Sequence, residues 1–277
     1  MTGFETIPAS YVTREKRTFL RIAQSNSRAA MQGSDEYIEG LRPGQFFTNT
    51  GVALSDTIEA IMLKFYVSIQ VRENAMVMAK NVATLSMEEF DRIAPSLIKT
   101  EGGYWLDKSG HKYEEQANFV VLLPQYPELG AMILPLKSSE LSMARYWIQL
   151  AMKVQNPNVQ NEIAPMWSSL WRIKTKLETK QDKKSGRKFT YYVIDTITRV
   201  GWIKKEIVAE VQDIFNEVQS TPVQYTPLPL GNDTPAIEQV QPVASLPDTS
   251  IGKAVQTVMN TIPSTPVTDG FDDDIPF

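Results

Sequence analysis

The sequence predicts a mixed, mainly β fold with a few helices, followed by a disordered acidic tail. Three observations lead there. Apolar and polar residues alternate over "RTFLRIAQ" (17–24) and "WRIKTKLE" (171–178), the period of strands buried on one face. Glycine-bearing turns punctuate these runs, as in "LRPGQFFTNTG" (41–51) and "QDKKSGRK" (181–188). From Thr221 onward the composition changes: nine of the 17 prolines fall there, with seven acidic residues against the single base Lys253.

Taken in chain order, 17–24 gives a first strand, and 41–51 gives a Pro-Gly turn, a short strand and a second turn. The run "TIEAIMLKFYVSIQVR" (57–72) is long and rich in β-branched and aromatic residues, which predicts a central, strongly bent strand. Ser86 and Glu89 form a capping box for a short helix that should stop near Pro95. "ANFVVLLPQY" and "GAMILPLK" read as two strands joined by a turn around Pro127 and Gly130. Leu141, Ala144, Ile148 and Met152 recur at helical spacing within 138–155, with Ser138 or Ser139 as the expected cap. Residues 167–200 form a long hairpin, Gly186 supplying the positive φ of its turn. An amphipathic helix over 205–218 closes the domain. Strands interrupted by helices and followed by a projecting hairpin suit an OB-fold-like barrel with helical insertions, a fold whose strand faces and loops accommodate oligonucleotides.

The net charge of −4 averages two unlike parts, because residues 1–220 carry 27 bases and 25 acids and the tail carries the acidic surplus. Three units follow: a domain over 1–218, a Pro/Thr/Gln-rich disordered linker over 219–268 that cannot bury enough surface to offset its ordering entropy, and an acidic tip over 269–277. The chain has no cysteine and one histidine, His111, so thiol chemistry and the usual zinc sets are excluded and no cofactor is expected. Phosphate-binding loops and serine nucleophile elbows are absent, which argues against an enzyme. No opening run resembles a signal peptide, and no apolar stretch is long enough to span a bilayer, so a cytoplasmic protein without a membrane partner is expected.

Two stretches could meet nucleic acid. Arg172, Lys174, Lys176, Lys180, Lys183, Lys184, Arg187 and Lys188 lie on the hairpin, interleaved with Trp171, Phe189, Tyr191 and Tyr192. Cations that track phosphates and aromatic faces that stack on bases are what single strands require. Strand parity assigns Trp171 and Tyr191 to the core and leaves Tyr192 as the stacking residue. Lysines that merely keep an exposed hairpin soluble explain the same pattern. The second stretch, "EGGYWLDKSGHKYEE" (101–115), presents Tyr104, Trp105, Lys108, His111 and Lys112 on a Gly-rich loop. A Trp105 buried as the anchor of that loop accounts for it equally well, and His111 alone is an exposed loop residue.

The last residues, "DGFDDDIPF", resemble the acidic C-terminal tip of bacterial single-stranded DNA-binding proteins, with Phe271, Asp272, Asp273, Asp274, Ile275, Pro276 and Phe277 matching. In that family the tip docks onto replication, recombination and repair proteins, and the resemblance implies the same partners here. The physics agrees: Ile275 and Phe277 fit an apolar pocket, Pro276 limits the entropy lost on docking, and the carboxylates fit a basic rim. "FLRIAQSNS", "YIEGLRPGQFFTNTG" and the long strand after them resemble phage-encoded proteins thought to bind single-stranded DNA. The combined expectation is a phage or plasmid protein that binds single-stranded DNA without sequence preference in the host cytoplasm. The alternatives are an adaptor or decoy that mimics the host tip, a strand-annealing recombination protein and, last, a metal-dependent nuclease. The sequence leaves open whether the protein is a homo-oligomer.

Overall fold

The structure, a computed structural model, describes residues 18–73, 81–100, 103–181, 186 and 188–226. The tip, most of the linker, Lys183, Lys184 and Arg187 lie outside the described residues.

Strand β3 (Thr57–Arg72) organises the fold, as its length and composition predict; β1 (Leu20–Ile22) and β2 (Phe46–Thr48) precede it. One edge of β3 pairs with β7 (Lys112–Leu122) over 61–72. The other edge pairs with β9 (Ser169–Gln181) over 57–61 and with β4 (Asn81–Leu85) over 69–72. Adding β5 (Ile98–Lys99), β6 (Trp105–Leu106), β8 (Met132–Lys137) and β10 (Lys188–Trp202) gives an eight-stranded sheet, β10-β9-β3-β7-β6-β5, with β4 beside β3 and β8 beside β7. Every strand pair is antiparallel, and β1 and β2 form a separate ribbon. The sheet curls into a half-barrel, so the fold is mainly β and OB-fold-like. A bulge at Leu63 shifts the register between Met62 and Lys64 and helps bend β3.

Each face of the sheet buries a different set of side chains. Ile58, Ala60, Met62, Phe119, Trp171 and Ile173 meet α2 (Leu141–Ala151) through Trp147 and Ile148, with the Phe119 and Trp147 rings stacked at 4.5 Å. On the opposite face Ile61, Leu63, Val120, Leu122 and Ile133 lie under α3 (Val208–Ser220) through Val211 and Val218. Burying each such aliphatic or aromatic side chain contributes about 1.5–3 kcal/mol. Lys64 Nζ donates to the carbonyls of Val218 and Thr221, both at 3.1 Å, placing a cation at the negative end of α3. The capping box of α1 (Met87–Ile93) forms as expected, Ser86 Oγ accepting from the Glu89 N–H at 3.1 Å and Glu89 accepting from the Ser86 N–H at 2.8 Å.

Two expectations need correction. Neither Ser138 nor Ser139 caps α2: the residue at the cap is Glu140, without a side-chain capping bond. Ser138 sits at φ 51° in the tight 3-10 turn that leaves β8, where its hydroxyl donates to Glu114 at 3.2 Å instead. The domain also does not end at residue 218. Helix α3 runs to Ser220, and Thr226 exchanges two backbone hydrogen bonds of 2.9 Å with Thr84 on β4. The described contacts therefore reach at least eight residues past the expected boundary.

Candidate nucleic-acid interface

The β9–β10 hairpin follows from its alternating sequence, with Gly186 at φ 69° in the turn. Trp171, Ile173 and Thr175 are buried, whereas Arg172, Lys174, Lys176, Lys180 and Lys188 are exposed. Arg172, Lys174, Lys176 and Lys180 point to the side of the sheet that also carries Glu59, since Arg172 is the cross-strand neighbour of Glu59, whereas Lys188, opposite Gln181 and next to Phe189, lies on the other side.

That neighbour changes the charge the face can offer. Arg172 pairs with Glu59 at 2.7 Å, and Glu59 also accepts from Gln125 at 3.3 Å. Lys176 pairs with Asp195 at 2.9 Å, a hydrogen bond that holds its ammonium above the usual lysine range. Lys180 lies over the Tyr191 ring at 5.5 Å. Among the described residues Lys174 forms no ion pair, which leaves it the least committed cation on the face. Nothing in the local pattern of β9 signals Glu59 or Asp195, because both partners come from other strands.

The aromatic parity is opposite to that expected. Between Ile194 and Thr196 the register of β10 slips by one, with Asp195 as the extra residue. Ile194 and Ile197 both remain on the core side, so simple alternation backwards from Ile197 gives the wrong face beyond the bulge. Tyr192 pairs with Leu177 on the side of Trp171 and Ile173, and its ring lies against Gly44. Tyr191 pairs with Glu178 and Phe189 pairs with Lys180, so these two aromatics share the basic side. Phe189 is half exposed.

Residues 103–115 belong to a small meander of β5, β6 and β7 rather than a loose loop. Trp105 packs edge-on against Phe90 at 4.9 Å and joins a core with Ile69, Val71 and Tyr113, so it is an anchor. Lys99 lies over its outer side at 5.5 Å. Lys112 lies over the Tyr104 ring at 4.4 Å and pairs with Glu114 at 2.6 Å. Burial raises the Glu114 carboxyl, but the Lys112 hydrogen bond together with the charges of Lys112, Arg72 and Lys137 outweighs it and holds the group below its ordinary value. His111 is half-buried, its Nδ1 2.9 Å from Asp107, which also accepts from the Tyr113 hydroxyl at 3.1 Å. Burial pushes Asp107 up, yet the His111 contacts prevail and lower it. The group staples a turn, and its cations are largely committed.

The family described as Pam3 phage gp34-like protein matches residues 18–224. The chain belongs to this family. No curated protein and no solved structure matches. In this gp34-like chain the matched segment begins at the start of the described fold and stops two residues before the Thr84–Thr226 bridge, so the matched segment and the described residues nearly coincide. Phage origin agrees with the sequence expectation. The acidic tip lies beyond the matched segment, and among the described residues no helix is long and apolar enough to cross a membrane.

Chemically, the gp34-like hairpin offers a ribbon of cations with Phe189 and Tyr191 on the same side. No group of three or more His, Cys, Asp or Glu able to hold a metal occurs among the described residues.

Proposed function

We propose that this gp34-like protein is a non-enzymatic, sequence-independent binder of single-stranded DNA acting in replication, recombination or repair. The observation that carries the reading is the hairpin face on which Lys174 and Lys180 stand exposed beside Phe189 and Tyr191. Lysines that neutralise phosphates release counterions, and each base stacked on an aromatic ring adds about 1–3 kcal/mol. In this reading the tip, residues 269–277, recruits host replication, recombination and repair proteins. Its seven residues shared with the bacterial tips support that half. Titrating oligo(dT) against duplex of equal length at two salt concentrations tests the whole. Single-strand preference with a steep salt dependence is expected, and equal affinity for both, or none at low salt, rejects the reading.

One observation favours a second reading. Arg172 and Lys176 are already paired with Glu59 and Asp195, which lowers the charge available to DNA and suits an adaptor whose body binds protein. Its signature is partner capture through the tip with no affinity for oligo(dT).

A further inference from the structure

We propose that the cleft between α2 and β10 is a slot for one unpaired nucleobase, with Tyr146 as its stacking wall; the inference rests on the single-stranded DNA reading above. The cleft, about 360 Å³, is lined by Met143 and Tyr146 of α2 and by Asp195, Thr196, Ile197 and Thr198 of β10. Tyr146 and Trp147 are consecutive on α2 yet opposite in fate: Trp147 is fully buried, while Tyr146 is 47% exposed. Among the described residues no ring or cation stacks on Tyr146. An uncovered aromatic face beside a cleft is what base stacking requires.

The β10 wall joins the cleft to the basic face. Thr196 is the cross-strand neighbour of Lys174 and Thr198 that of Arg172. Such neighbours stand about 4.5–5.5 Å apart at Cβ, so a nucleotide with its base in the cleft turns its phosphate toward Lys174, which forms no ion pair among the described residues. The Thr196 and Thr198 hydroxyls can donate to or accept from a base edge, a tolerance that suits binding without sequence preference. The chemistry also favours a base over an anion. Asp195 in the lining is already paired with Lys176 and Met143 and Ile197 supply apolar walls, so a phosphate inside would lose hydration without gaining a free cation whereas a neutral ring would not. Bases of a duplex are stacked and paired and cannot enter, which gives the slot selectivity for single strands.

The test compares oligo(dT) with an abasic oligomer of the same length, using the full chain and its Tyr146→Ala, Tyr146→Phe and Tyr146→Trp variants. Tyr146→Ala should weaken oligo(dT) binding about tenfold, the scale of one lost stack, and leave the abasic oligomer unaffected. Phe and Trp should restore binding, because the ring and not the hydroxyl is used. Photocrosslinking of an iododeoxyuridine oligomer should map to Tyr146 in the unmodified protein, a readout independent of any variant's folding. If the unmodified protein binds oligo(dT), Tyr146→Ala binds it equally and no crosslink reaches α2, the slot is refuted while the DNA reading stands. If the unmodified protein binds neither oligomer, the DNA reading itself fails and the slot with it.

Discussion

Gln24 meets the backbone of Tyr192 twice: its Nε2 donates to the Tyr192 carbonyl at 2.8 Å, and its Oε1 accepts from the Tyr192 N–H at 2.7 Å. A side-chain amide thus does at the outer edge of β10, the last strand of the sheet, what another strand would otherwise do. Replacing Gln24 by Ala leaves both backbone groups without this partner. The expected loss is about 1–3 kcal/mol, read by urea denaturation. Gln24→Glu should also destabilise, since a carboxylate can accept from the N–H but cannot donate to the carbonyl. Stability unchanged in both variants would show that the edge does not need its clamp.

The same tyrosine explains a glycine. Gly44 has φ 92°, and a Cβ there would stand 2.6 Å from Tyr192 Cε1. Gly44→Ala should therefore cost roughly 1–3 kcal/mol, combining backbone strain with a steric clash. In a double-mutant cycle with Tyr192→Ala the clash should vanish and the strain remain, so the two effects should not add.

These contacts mark the limit of what the sequence makes legible. The capping box at Ser86 and Glu89, the hairpin around Gly186 and the turn after Tyr126 are written in residues close in the chain, and each forms as read. Tyr192 was misread because one inserted residue, Asp195, inverts the parity of everything before it on β10, and no local pattern announces a bulge. The ion pairs of Arg172 and Lys176 are invisible in the local sequence because their partners, Glu59 and Asp195, come from other strands. Tyr146 carries no signal in the sequence, because a helical period identifies the buried face and says nothing of what lies beside the exposed one.

Glu140 adds a pH dependence. Burial pushes its carboxyl up to about 7 from 4.5, against the pull of the Ile194 backbone amide and Lys137. An acid whose pKa is raised by folding favours the native state when protonated. Its contribution is therefore full below pH 4.5 and is lost as the pH rises through about 7. With allowance for solvent screening the loss is on the order of 1–2 kcal/mol. Glu140→Gln should abolish that part of the pH profile in denaturation curves recorded from pH 4.5 to 8. An identical profile for both proteins would remove Glu140 as its source.

Lys174 and Lys176 lie two residues apart on one face but differ in commitment, so they should respond differently when DNA binds. Removing Lys174 as Ala should lower the slope of log affinity against log salt by about 0.7, one phosphate contact on a single strand. Lys176→Ala should lower it less, because Asp195 already neutralises that ammonium at 2.9 Å. Asp195→Asn should release Lys176 and tighten oligo(dT) binding at low salt. It should do so more than Asp91→Asn, which makes the same charge change on α1, away from the hairpin. In the Asp195→Asn background, removing Lys176 should then recover the full change in slope. Equal slopes for Lys174→Ala and Lys176→Ala in the unmodified background would mean that DNA displaces Asp195 at no cost, and the pair would not regulate the charge of this face.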